Sequence, residues 1–161
     1  MTPKLLTTAE VARLGGVSGR SCSARQVRYL LVAGGLGTQV ERRSHGQTRL
    51  FGALDVALVR LALRIEHEGV SPAVARVVLT YLRTDLIRAW KAAAPLALAI
   101  RGVHGSLEPA LKARPAWAVT WIPLREIWSA LEREIQQVCD RRSTVWMWRH
   151  VPVHAVSREG L

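Results

Sequence analysis

Cysteine, lysine and long apolar runs are all scarce in this chain. Cys22 and Cys139 are its only cysteines, too few and too far apart for a disulfide framework or a four-thiolate zinc site, which fits a reducing compartment. Cys139 with His150 and His154 lacks an acidic or thiolate ligand at a familiar spacing, so neither a metal nor a cofactor is expected. The longest apolar run, "AAAPLALAI" at 92–100, is about half of what spans a bilayer, and the opening "MTPKLLTTAEVARLGG" has no apolar leader segment. A soluble, cytoplasmic protein with no membrane partner is the expectation. No Gly-x-Ser-x-Gly setting, phosphate loop or dinucleotide fingerprint occurs, so an enzyme is not expected.

Negative charge is scarce as well. Against 12 Asp+Glu stand 23 Lys+Arg, a formal net charge of +11, and the pI is near 11.3. Such a balance points to a partner carrying dense negative charge, with nucleic acid the leading candidate. Lys4, Lys91 and Lys112 are the only lysines. The dominance of arginine reflects either a need for bidentate phosphate and guanine contacts or a GC-rich genome. With 161 residues, 49% hydrophobic and 22% charged, the chain fits one folded domain or a small domain with an appended part.

Thr7 and Glu10 have capping-box spacing, so a helix should start there and bury Ala9, Val11, Ala12 and Leu14 before "GGVS" at 15–18 ends it in a sharp turn. A second helix is predicted within 23–33, "SARQVRYLLVA", with Val27, Leu30 and Leu31 inward and Arg25, Gln26, Arg28 and Tyr29 outward. "GGLG" at 34–37 breaks it. "TQVERR" and "TRLF" then alternate apolar and polar residues around "SHGQ", the pattern of a two-stranded wing. Helical spacing returns from Leu54 to Glu68, stops at Gly69, and resumes behind Ser71 and Pro72 to about Trp90.

A soft boundary is expected near 91–95, between an N-terminal part, 1–91, expected to bind nucleic acid, and a C-terminal part, 96–161, expected to serve dimerisation or an effector. "LALAIRG" and "AWAVTWI", separated by the Gly- and Pro-containing 102–116, predict a strand pair. In "PLREIWSALEREIQQVCDRR", 123–142, Leu124, Ile127, Leu131, Ile135 and Val138 recur by threes and fours, as in a helix that pairs with its own copy. The apolar tail "TVWMWRHVPVHAV", 144–156, is expected to pack as a strand or arm. The fold class read from this pattern is mainly α with small β elements (α+β): a winged helix-turn-helix, a strand pair and a dimerisation-type helix.

This order resembles the N-terminal DNA-binding domain of the MerR family of bacterial regulators over roughly residues 5–82. That family's second helix carries a "TLRYYE..GLL"-like motif, met here by Gln26, Val27, Arg28, Tyr29, Leu30 and Leu31, then Gly34, Gly35 and Leu36. Its wing ends in a "YRLY"-like motif, met by Thr48, Arg49, Leu50 and Phe51, and Asp55 with Val56 fits the start of the helix that follows. "LRIEHEGVSPAVARVVL" matches the later segment in outline. Leu30 and Leu31 stand where the family has an aromatic and a glutamate, and "GRSCSAR" at 19–25 is longer than the family's link. The resemblance implies a homodimer on an inverted-repeat operator, distortion of promoter DNA, and a Tyr29 hydroxyl that donates to phosphate.

The candidate surface for double-stranded DNA comprises Arg20, Arg25, Gln26, Arg28, Tyr29, Arg42, Arg43, His45 and Arg49. Residues 20–49 hold six arginines against Glu41 alone, and clustered arginines neutralise phosphates and release counterions. On this reading Arg28 sets site preference, while Arg42, Arg43 and Arg49 contact phosphate and Gly46 lets the turn approach closely. The plainer alternative is a solvated charged face. Tyr29 either contacts phosphate or packs its ring between helices, and His45 is either a phosphate donor or an exposed turn residue. Phe51 belongs to the core. Cys22, beside Arg20 and Arg25, is either a redox-active thiol or an inert loop residue. Trp117, Trp121, Trp128, Trp146 and Trp148 either wall a ligand site or pack in a core or interface.

The expected function is that of a sequence-specific transcription regulator binding DNA as a homodimer. Two alternatives stand beside it: an architectural, excisionase-like DNA-bending protein, and a C-terminal protein- or ligand-binding module on a degenerate DNA-binding scaffold.

Overall fold

A computed structural model describes residues 5–17, 19–37 and 50–150, the last eight as helix backbone only. The fold is α+β. Strand β1, Leu6–Thr7, leads directly into helix α1, Thr8–Gly15. The capping box read from the sequence is formed: Glu10 Oε2 accepts from the Thr7 amide at 2.8 Å and Thr7 Oγ1 accepts from the Glu10 amide at 3.3 Å. After a turn in which Val17 and Arg20 exchange backbone hydrogen bonds, a second capping box, Ser23 with Gln26, starts α2, Ala24–Val27. The helix does not continue as α. Residues Arg28–Ala33 form a π-helix, a wider coil that recurs at functional sites.

The chain returns at β2, Leu50–Phe51, antiparallel to β1 with Leu6 opposite Phe51. The partner of the "LF" strand among the described residues is therefore the N-terminus, and the expected opposite strand, "TQVERR", lies outside the described residues. Helix α3, Ala53–His67, is buried almost all round, from Asp55 to Leu63 and again at Ile65. It forms the centre of the molecule. Helix α4, Pro72–Ala92, starts as predicted, with Ser71 Oγ accepting from the Val74 amide and Pro72 in the first turn.

Three strands follow rather than two: β3, Leu96–Arg101, sits between β4, His104–Pro109, and β5, Thr120–Pro123, both antiparallel to it. The extra strand is "HGSLEP", which carries neither β-branched residues nor a clean alternation, so pairing with β3 defines it. Gly105 lies so close to α4 that a Cβ there would stand 2.5 Å from Val78 Cγ1; the hairpin's approach requires glycine.

The predicted helix over 123–142 is two helices, α5, Leu124–Trp128, and α6, Leu131–His150. The break lets both present apolar residues to one core. Leu124, Ile127, Leu131, Ile135 and Val138 are all buried within the chain's own hydrophobic cluster. This corrects their assignment as a dimerisation stripe: they face their own chain and are not available to a second copy. Two polar ties hold α6 in place. Arg60 of α3, itself buried, donates to the Leu14 carbonyl at 2.6 Å and pairs with Glu134, while Arg142 pairs with Glu10 at 2.8 Å. The cluster runs from Leu6 to Val138, so the segments on either side of 91–95 share a core. Among the described residues no helix is long and apolar enough to cross a membrane.

Candidate nucleic-acid interface

The exposed face of α2 and the π-helix is set by what the other face must bury. Val27, Leu30 and Leu31 enter the core, which leaves Arg25 and Arg28 exposed and Tyr29 39% exposed beside them. Arg25 and Arg28 are three residues apart, hence neighbours on one face. Among the described residues neither makes an ion pair. Their charge is available to an outside partner, and paired guanidinium forks suit phosphate oxygens or the acceptor edge of guanine.

The other expected contacts differ in state. Gln26 is half-buried and its Oε1 accepts from the Ser23 amide at 2.8 Å, so its carboxamide is engaged in closing the helix cap. Arg20 is exposed, and its charge acts on Glu66: burial raises the Glu66 pKa, and Arg20 partly opposes that. The Tyr29 ring lies under the Arg76 guanidinium, 5.0 Å from centroid to carbon, while part of its surface stays open. Arg42, Arg43, His45 and Arg49, with Gly46, lie outside the described residues.

Cys22 is not poised for redox chemistry. Its thiol is pushed up from 9.0 to about 11, first by burial and then by the neighbouring Glu66 carboxylate. At pH 8 the folded chain should therefore hold about a hundredfold less Cys22 thiolate than the unfolded chain. Alkylation with iodoacetamide, followed by peptide mass spectrometry, should show Cys22 reacting at least about tenfold more slowly in native than in denatured protein. Equal rates would mean that the thiol is neither buried nor opposed by Glu66.

Two further arginines support this face and escaped the sequence reading. Arg76 and Arg83 lie seven residues apart on α4, so two turns separate them on one side of that helix. Arg83 donates from Nε to the Leu36 carbonyl at 3.1 Å and from Nη2 to the Gly37 carbonyl at 2.9 Å. The signal was present as arginine recurring at heptad spacing, yet on an amphipathic helix such residues read as solvated.

Elsewhere, an open groove of about 540 Å³ runs between α4 and the β3–β4 hairpin, lined by Leu82, Asp85, Arg88, Leu96 and Leu107 among others. Of the tryptophans, Trp128 packs edge-to-face on Trp90 at 5.2 Å and Trp117 is partly exposed. Among the described residues no three His, Cys, Asp or Glu side chains gather as a metal site would need. Compared with known proteins, the chain matches no family model and no curated protein sequence.

Proposed function

We propose that this chain is a sequence-specific, DNA-binding transcription regulator of the MerR-like type. The observation that carries the reading is the pair Arg25 and Arg28, unpaired among the described residues and held on the exposed face of a helix whose opposite face is core. Four residues separate the end of the helix from the basic segment 38–49. Placed in a major groove, such a helix brings guanidinium groups to base edges and phosphates, while the arginines of 42–49 add contacts along the backbone. Rigidity favours this use: α2 rests on α1, the π-helix rests on α3, and Tyr29 lies under Arg76 of α4, so the donors are placed before DNA arrives.

The resemblance adds a homodimer and an inverted repeat to this reading. Because the 124–138 stripe is occupied by the chain's own core, pairing must use another surface. Half-site spacing would then follow the twofold axis of the pair.

The test is selection of genomic fragments by the purified protein, then titration of the recovered duplex over a salt series. Each phosphate neutralised adds about 0.9 to the slope of log K against log salt. Engagement of Arg25 and Arg28 alone gives roughly −2, and engagement of all six arginines of 20–49 roughly −5. A single inverted repeat with a slope in that range supports regulation. Tight binding indifferent to sequence moves the protein to the architectural class, and no binding overturns the reading.

A further inference from the structure

Among the described residues Arg83 bonds to the Leu36 and Gly37 carbonyls, in the segment that joins the helix carrying Arg25 and Arg28 to the basic stretch 38–49 of the sequence. The π-helix ends in three wide backbone turns: the Gly34 amide donates to the Tyr29 carbonyl at 2.8 Å, Leu36 to Leu30 at 3.3 Å, and Gly37 to Leu31 at 3.0 Å. The N–H groups of Leu36 and Gly37 are thus taken up by the π-helix, and their carbonyls point to α4. There the Arg83 fork receives both carbonyls, one on Nε and one on Nη2. A guanidinium suits this task because its donors are coplanar and fixed relative to one another, whereas an ammonium is a single rotating point of charge.

Two turns earlier on α4, Arg76 completes the grip. Its guanidinium covers Tyr29; a Cβ at residue 34 would stand 2.7 Å from the Leu30 carbonyl oxygen and 2.9 Å from both the Tyr29 carbonyl oxygen and Arg76 Cδ, so Gly34 lets the turn close with the Arg76 stem against it. Residues 29–37 are therefore bonded on one side to their own helix and gripped on the other by a 21-residue helix packed on α3 and the hairpin. We propose that Arg83 is a positioning residue for DNA recognition: it fixes the path of residues 29–37, into which the helix carrying Arg25 and Arg28 runs, so that it determines sequence preference without touching DNA.

This inference rests on the functional reading above. Base-edge hydrogen bonds tolerate little displacement, while phosphate attraction falls off slowly with distance. Loosening the grip should therefore reduce preference more than affinity for any duplex.

The experiment uses full-length chain carrying Arg83→Gln or Arg83→Lys beside the wild type. Amide hydrogen exchange is measured over 30–37, and titration is done on a duplex recovered by selection and on a mixed-sequence duplex of equal length. Both variants should exchange faster over 30–37 with little change elsewhere. The ratio of preferred to mixed-sequence affinity should fall by about tenfold, the scale of one charge-assisted hydrogen bond. The salt slope should not change, because no phosphate contact is removed.

Arg83→Lys retains the charge and should not recover the ratio. A slope lower by about 0.9 with the ratio retained would make Arg83 a phosphate contact and overturn the proposal. Unchanged exchange would overturn the grip itself, and equal loss on both duplexes with faster exchange throughout the chain would reduce Arg83 to a general structural role. Failure of the wild type to bind either duplex would overturn the functional reading and the recognition role with it, while the exchange data would still decide whether the grip exists.

Discussion

Replacing Phe51 by alanine is expected to lower the unfolding free energy by about 3–5 kcal/mol, as truncation of a buried aromatic does when the site cannot collapse around the space left. Phe51 is the only phenylalanine of the chain and 1% exposed. It sits where three constraints meet. Its backbone pairs with Leu6, its ring enters the core shared by α1, α3 and the π-helix, and the next residue, Gly52, caps α3 through a 2.8 Å bond from its amide to the Asp55 carboxylate. Relaxation of any one of these is opposed by the other two. In a domain of this size the loss corresponds to a melting temperature lower by roughly 6–20 °C. Leu111→Ala, at a position 92% exposed, is the control and should stay within about 0.5 kcal/mol of wild type. Urea denaturation of the two variants decides the matter: a Phe51→Ala loss under about 1 kcal/mol would mean that β1–β2 and its ring contacts do not anchor the fold.

Phe51 was legible in the sequence, and so were the features governed by nearest neighbours. The capping box of Thr7 and Glu10, the Ser71–Pro72 start of α4 and the stop at Gly69 each depend on contacts within four residues, so side-chain type and spacing suffice. The π-helix was not legible. Its wide turns are held from outside, by Arg83 on the Leu36 and Gly37 carbonyls and by the room that Gly34 leaves for Arg76, whereas "GG" in a string reads simply as a stop. "HGSLEP" became a strand for a similar reason, since its β character comes from pairing with β3 and from the fit of Gly105 on α4.

The stripe from Leu124 to Val138 illustrates a different limit. Threes and fours mark one apolar face of a helix but say nothing about whose surface covers it. The answer lay in charges scattered elsewhere: Arg60 inside an apolar run of α3, paired with Glu134, and Glu10 of the first capping box, paired with Arg142. Each ties α6 to the N-terminal helices, and neither partner could be named before the fold was known. Of the candidate interface, burial of Val27, Leu30 and Leu31 already fixed which residues of the second helix face outward, so Arg25, Arg28 and Tyr29 stood at the surface in both readings. The two arginines of α4 behind them required the structure.

The largest functional effect should come from the double substitution Arg25→Ala, Arg28→Ala. Both side chains are exposed and, among the described residues, unpaired, and alanine favours helix, so stability should change by no more than about 0.5 kcal/mol. Binding should not be spared. A guanidinium on a base edge contributes about 1–3 kcal/mol of discrimination, so loss of two such groups from one helix face should weaken the preferred duplex by roughly a hundredfold. If one of the pair instead neutralises a phosphate, the salt slope falls by about 0.9 and the loss on mixed-sequence DNA approaches the loss on the preferred site. The single variants separate these cases: Arg28→Ala should flatten the preference among duplexes, and whichever arginine contacts phosphate should lower all affinities alike. An unchanged melting curve with unchanged affinity and slope would remove this face from the interface altogether. The basic character of the chain would then need another surface to explain it, with the exposed arginines at 125, 133 and 141 on α5 and α6 the next to be substituted.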